Sequence, residues 1–263
     1  RAHVIAYKGL GDLGGFTSDL AAAINQAVAD GVDVINYSVG GGAGLPGPDE
    51  IAFLFAADAG VFVATSAGNS GPGPATMGNP GNMPWMTTVG ASTQSRFFQG
   101  TAILGDTYAF PGASITPGIG WASLVDAEFA GGDLCLPGTL DSGAVAGKIV
   151  LCRRGGIARA HKSLAVFLAG GVGTILYNNS DVDMLSSDTH WTPAVHIDQT
   201  PGLAIKAYIA GDPSPTAMIS AEELALWGPA PSMAFFSSRG PNPVSPDLIK
   251  PDITAPGVQV LAG

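Results

Sequence analysis

Apolar positions recur at helical spacing across residues 18–39, "SDLAAAINQAVADGVDVINYSV", where Leu20, Ile24, Ala27 and Val28 share one face. Ser18 or Asp19 stands where an N-cap belongs and Gly31 where the helix must stop, so the pattern predicts a helix and then a strand over 32–39. The alternation repeats after "GGGAGLPGPDE": Pro48 and Asp49 open a second helix with Ile51, Leu54 and Phe55 facing inward and Gly60 at its end, and a strand over 61–65 follows. Strands alternating with helices through short glycine-rich loops predict an open α/β fold, a parallel sheet built by right-handed crossovers and covered on both faces. Ligands of such sheets bind beyond the carboxyl ends of the strands, which places the loops "SVGGGAG" and "SAGNSGPG" on one edge.

The texture changes over residues 97–228, which hold both cysteines and a second βα series: "GKIVLCRRG", a helix over 158–169, "VGTILYNN", "PAVHI", a helix from Thr200, and "TAMISA". This reads as an inserted α+β domain. Residues 229–263 resume with β-prone stretches and Pro-rich turns, so the first domain, residues 1–96, is expected to be discontinuous. Cys135 and Cys152 bracket a turn-rich segment. A bond between them would stabilise by about 3 kcal/mol in the chain-entropy picture and point to an exported protein; two unpaired buried thiols are the alternative.

Charge narrows the partners. Against 21 Asp and Glu stand 11 Lys and Arg, with no basic cluster, which argues against nucleic acid and against an anionic membrane. No apolar run approaches the roughly 20 residues that span a bilayer. The opening "RAHVIAYKGL" has neither an initiator Met nor a signal-peptide pattern, as expected of a piece of a longer polypeptide. The spacing of "GGVGTI" and "GGGAG" fails the dinucleotide fingerprint. No H-E-x-x-H, C-x-x-C or calcium loop occurs, so no metal ligand is assigned and no cofactor is expected. Asn178-Asn179-Ser180 and Asn36-Tyr37-Ser38 match the glycosylation sequon, the latter in a strand expected to be buried.

The candidate chemistry lies in "FVATSAGNSGPG". Asn69 is one amide in a loop of small residues, and as an isolated residue among glycines it reads as a turn residue tolerating a left-handed backbone. Its setting supports a second reading. On the same edge, Ser38, Val39, Gly40 and Gly41 offer backbone groups to which an extended peptide can add as a strand. An amide donor preoriented beside such a groove stabilises the oxyanion of acyl transfer.

The ordered stretches "DVINYSVGGG", "VFVATSAGNSGPG", "GNPG", "FSSRGP" and "KPDITAPG" strongly resemble the subtilisin-like serine proteases, and "GKIVLCRRGGIARAHKSLAVFLAGGVGTILYNN" with "PAVHI" resembles the protease-associated domain inserted in a subset of them. The resemblance implies a partial subtilisin-like doubly wound sheet. It makes Asn69 the side-chain oxyanion donor, and Ser38, Val39, Gly40 and Gly41 one groove wall. Ser66, Ala67 and Gly68 with Gly78, Asn79, Pro80 and Gly81 become the S1 walls, with Asn79-Pro80 a cis peptide. Loss of such a donor costs about 10²–10³ in kcat, a magnitude measured in this same family and taken over from it. Family members often bind structural calcium, but no ligand set transfers to this chain.

The family's Asp, H-G-T-H and G-T-S-M triad motifs are absent, and His3, His161, His190 and His196 match no family position. Ser66 is not a nucleophile elbow, because Ala64 stands where glycine is needed. The expectation is the central part of a secreted serine endopeptidase acting on peptides or proteins, inert by itself. The insert serves substrate access, protein contacts or self-association. The alternative is a non-catalytic peptide-binding or assembly protein working through that insert.

Overall fold

The computed structural model describes residues 2–11, 14–226 and 230–260. Arg1–Thr93 with Ala230–Val260 form one compact unit and Gln94–Pro229 a second that interrupts it. In chain order the first unit contributes α1 (Thr17–Ala29), β1 (Val34–Tyr37), α2 (Pro48–Asp58), β2 (Phe62–Ser66) and β3 (Thr87–Ser92). The second holds β4 (Arg96–Leu104), β5 (Ala109–Ala113), β6 (Ile119–Asp126), α3 (Ser142–Val145), β7 (Ile149–Arg153), α4 (Arg159–Leu168), β8 (Gly173–Tyr177), β9 (Ala194–Ile197), α5 (Gln199–Gly211), β10 (Thr216–Ile219) and β11 (Glu223–Leu226). The chain then returns to the first unit with β12 (Ile253–Pro256).

The sheet of the first unit runs β1-β2-β3-β12, every pair parallel. Ile24 of α1 and Phe53 of α2 pack with Tyr37, Val63, Met83 and Met86 in one core. Helix α1 starts earlier than its pattern predicts: Phe16 is the cap residue, and Asp19 sits in the first turn, where its Oδ2 accepts from the Phe16 N–H at 3.2 Å.

Helix α2 is rotated from expectation. Ala52, Phe53 and Ala56 are buried, while Ile51, Leu54 and Phe55 are 40%, 38% and 64% exposed. The cause is polar. Asp49 Oδ2 accepts from the Tyr37 hydroxyl at 3.1 Å and Glu50 Oε2 accepts from the Gly47 N–H at 2.6 Å. Anchoring Asp49 inward carries residues 52, 53 and 56, three, four and seven positions on, to the same face.

Among the described residues of the first unit, the expected cover is present on one face of the sheet. The core lies on the side of Tyr37 and Val63, whereas Val34 and Phe62, partners across β1 and β2, remain exposed on the other. Neither α1 nor α2 of the first unit packs on that second face. It forms a shallow depression whose lining includes Asn36, Ser38, Ala64, Ser66, Val89 and Ala255.

The second unit has one sheet in the order β10-β6-β7-β8-β9-β5-β4-β11, and a further β10–β4 pairing joins its ends into a ring with β11 outside. Strands β6 to β9 are parallel. β5 meets β9 at one register pair, Ala113 with His196, and side chains continue the contact: the Ser114 and Thr116 hydroxyls donate to the Ala194 carbonyl at 2.7 and 3.0 Å. Cys135 and Cys152 are bonded, with Cα atoms 5.8 Å apart. Beside them the buried Lys162 ammonium donates to the carbonyls of Leu134 at 2.6 Å and Gly155 at 2.7 Å, and burial pulls its pKa down to about 8.

His196 is buried and uses both ring nitrogens: Nδ1 accepts from the Ser186 N–H at 3.0 Å, and Nε2 donates to Asn178 Oδ1 at 2.7 Å. Asn178, the first sequon asparagine, is itself buried, and its Nδ2 donates to the Asp183 carbonyl at 2.9 Å, so this amide presents no free nitrogen for a glycan. Asn36 of the second sequon is exposed on the uncovered sheet face, contrary to expectation.

Burial, reinforced by the Arg159 and Arg154 charges, pushes the His196 pKa down to about 3 from its ordinary value of 6.5. As pH falls through about 6.5 the unfolded chain takes up the proton first, so stability is lost progressively down to about pH 3. Urea denaturation from pH 7 to pH 4 should show this loss, and His196→Gln should flatten the slope. An equal slope in both proteins would assign the acid sensitivity to other groups.

Candidate active site

The loops at the carboxyl ends of β1 and β2 come together with residues 78–81. Gly41 N–H donates to the Asn79 carbonyl at 2.9 Å and Asn79 N–H to the Gly42 carbonyl at 3.4 Å. The Asn79 side chain grips the same loop: Oδ1 accepts from the Gly44 N–H at 2.9 Å and Nδ2 donates to the Leu45 carbonyl at 3.3 Å. Pro80 follows through a cis peptide. A Cβ at Gly78 would lie 2.1 Å from the Gly41 oxygen, and one at Gly81 would lie 2.8 Å from the Ser66 oxygen. Main chain therefore fills the space that side chains would need.

The structure thus brings together Ser38, Val39, Gly40 and Gly41, Ser66, Ala67 and Gly68, and Gly78, Asn79, Pro80 and Gly81. Parallel pairing of Tyr37 with Thr65 sets Ser38 beside Ser66. Two details differ from a fully open edge. Gly41 N–H is already committed to Asn79, and the Asn79 side chain is engaged by the loop it holds. Cys135 and Cys152 belong to the second unit.

Asn69 is exposed, and its side-chain amide makes no hydrogen bond among the described residues. The left-handed conformation expected of it as a turn residue falls on Gly68, at φ +99°. The loop rests on the returning chain. Gly71 N–H donates to the Phe236 carbonyl at 2.8 Å, Thr76 N–H to Arg239 O at 2.9 Å, and Arg239 N–H back to Thr76 Oγ1 at 2.9 Å. Asn242, fully buried, donates through Nδ2 to the Asn82 carbonyl at 2.7 Å, so the return segment braces the second wall too. Lys250, also buried, donates to the Met86 carbonyl and to Asp252 Oδ2, each at 2.6 Å; the same Asp252 oxygen accepts from Thr88 N–H at 2.6 Å.

Burial, then the Asp49 charge, holds the Tyr37 hydroxyl above its ordinary range, so it stays a donor at the end of β1. Burial likewise raises the neighbouring Glu50 carboxyl. These groups lie at the base of the strand that leads into the Ser38–Gly41 loop, and the exposed Asn69 lies on the neighbouring loop.

Among the described residues of the first unit no nucleophile and base pair up. The first unit has a single histidine, His3, which is exposed. In the second unit His190 Nδ1 lies 2.9 Å from Ser163 Oγ, but that hydroxyl donates its proton to the Ala160 carbonyl at 2.7 Å, so the ring nitrogen is the donor and not a base. Among the described residues no three His, Cys, Asp or Glu side chains gather as metal ligands. Sequence reasoning missed the bracing roles of Arg239, Asn242 and Lys250, although all three lie in or beside stretches it singled out, "FSSRGP" and "KPDITAPG".

A profile of the subtilase family, Peptidase_S8, matches residues 1–263. The chain is 46% identical over 277 aligned positions to subtilisin-like protease SBT1.4 of Arabidopsis thaliana and 43% identical to SBT1.6 of the same plant. All of the chain is covered in both matches, against 35% and 36% of the relatives, so it spans about a third of their length. Among solved structures, the psychrophilic subtilisin-like protease Apa1 from Pseudoalteromonas sp. AS-11 matches at 19% identity over 91% of this chain and 64% of its own, with a TM-score of 0.34.

The wall contact gives a direct test. Gly78→Ala should destabilise by about 1–3 kcal/mol, because its Cβ meets main chain and not a movable side chain. Urea denaturation reads this; an unchanged midpoint would mean that the two loops can part freely.

Proposed function

Because the chain belongs to the subtilase family, we propose that it is the central part of the catalytic domain of a subtilisin-like serine endopeptidase. It carries the substrate groove and the oxyanion donor, while Asp, His and Ser of the triad come from other parts of the protein. The observation that carries this reading is Asn69, an unengaged amide on a loop whose backbone is pinned from beneath. A substrate peptide would pair as an added strand along Ser38, Val39 and Gly40, with residues 66–68 and 78–81 walling its P1 side chain. The serine would attack the scissile carbonyl, the histidine would carry the proton to the leaving amine, and Asn69 Nδ2 would donate to the tetrahedral oxyanion.

The second unit is, in this reading, a protease-associated domain that governs substrate access, protein contacts or self-association. Its βα series and its place between the two parts of the first unit support that assignment. The Cys135–Cys152 bond supports export, since such bonds persist in oxidising compartments. No helix among the described residues is long and apolar enough to cross a membrane. No cofactor and no nucleic-acid partner enter the proposal.

In the whole protein, Asn69→Ala should lower kcat by about 10²–10³ with little change in KM, the magnitude being the one known for this donor in this family. A fluorophosphonate should label a serine outside residues 1–263, and the purified 263-residue chain should not hydrolyse peptides. Hydrolysis by that chain, abolished by Asn69→Ala, would overturn the assignment of the triad to other segments.

A further inference from the structure

The two residues flanking Asn69 both bond to one other residue. Ser238 N–H donates to the Gly68 carbonyl at 2.9 Å, and Ser238 Oγ accepts from the Ser70 N–H at 3.0 Å. Ser238 is fully buried, so its end of each bond is shielded from water. The fit is close: a Cβ at Gly68 would lie 2.9 Å from Ser238 Oγ, and Gly68 adopts φ +99°, where a side chain is strained. The peptide groups before and after Asn69 are therefore both fixed by Ser238, and the Asn69 amide is left with no bond of its own among the described residues.

We propose that Ser238 is a positioning residue for catalysis, setting the aim of the Asn69 amide through the backbone on either side of it. The proposal rests on the oxyanion role of Asn69. A donor that stabilises charge only as charge develops must be held in place beforehand, since a misplacement of about 1 Å can cost up to about 10²-fold in rate. Asn69 has no side-chain partner to hold it, so its aim depends on backbone and rotamer, and Ser238 supplies the backbone part.

The test uses the whole protease, with kcat counted per active site by fluorophosphonate titration so that misfolded molecules drop out. Ser238→Ala removes the acceptor for Ser70 N–H, and kcat should fall about 10-fold with KM unchanged. Ser238→Cys keeps the bulk but offers a weak sulfur acceptor, and it should show the same kcat-specific loss should the alanine variant fold poorly. In an Asn69→Ala background, Ser238→Ala should change kcat less than about 2-fold, because the donor it aims is gone.

If Asn69→Ala lowers kcat while both Ser238 variants leave it unchanged, the positioning role is overturned and the oxyanion reading stands. A full Ser238→Ala loss persisting without Asn69 would also overturn it, by showing that Ser238 acts elsewhere. If Asn69→Ala itself leaves kcat unchanged, the oxyanion reading fails and the positioning role fails with it.

Discussion

Two loops poor in side chains carry many backbone donors and acceptors, and the return segment at residues 236–242 supplies their partners. Ser70 and Ser238 are 168 residues apart, Asn82 and Asn242 are 160 apart, and each pair is joined by a hydrogen bond. A net contribution of about 0.5–1.5 kcal/mol per bond is modest, but an unmet buried donor costs more than a made bond gains. The glycine-rich edge therefore keeps its shape only when the chain, after traversing the whole second unit, comes back onto the first. That return couples the integrity of the groove to a stretch that does not line it.

The emptiness of the groove walls follows from the same closeness of main chain. Gly40, Gly78 and Gly81 each lie where an added Cβ would press on a backbone oxygen at 2.9 Å or less. Side chains at these positions would separate the walls and loosen the amide-to-carbonyl bonds between residues 41–42 and 79. Small residues here have a packing cause that stands apart from the substrate role proposed for them.

Local pattern carried the βα alternation well: the helices at residues 17–29 and 48–58 and the strands that follow them are legible from spacing, proline and glycine. The rotation of α2 was not, because its interior is apolar on nearly every side and periodicity cannot choose a face. A buried carboxylate at Asp49, bonded to Tyr37 twelve residues earlier, chose it. Asn69 stands out in the sequence because the ordered motifs of the subtilase family surround it. Ser238, Asn242 and Lys250 sit in or near such motifs, but what each one braces depends on contacts far along the chain, which no window of sequence contains. The buried Lys162 is a similar case: nothing near it in sequence announces the carbonyls of Leu134 and Gly155 that accept from it.

The proposed chemistry turns on where one amide points as charge develops on the substrate. The most direct measurement is a crystal structure of the whole protein inhibited by a peptidyl phosphonate, whose phosphonyl oxygen stands in for the oxyanion. The account predicts Asn69 Nδ2 about 2.7–3.1 Å from that oxygen, with the inhibitor backbone paired along Ser38, Val39 and Gly40. A phosphonyl oxygen bound by other donors, with Asn69 turned away from it, would contradict the account.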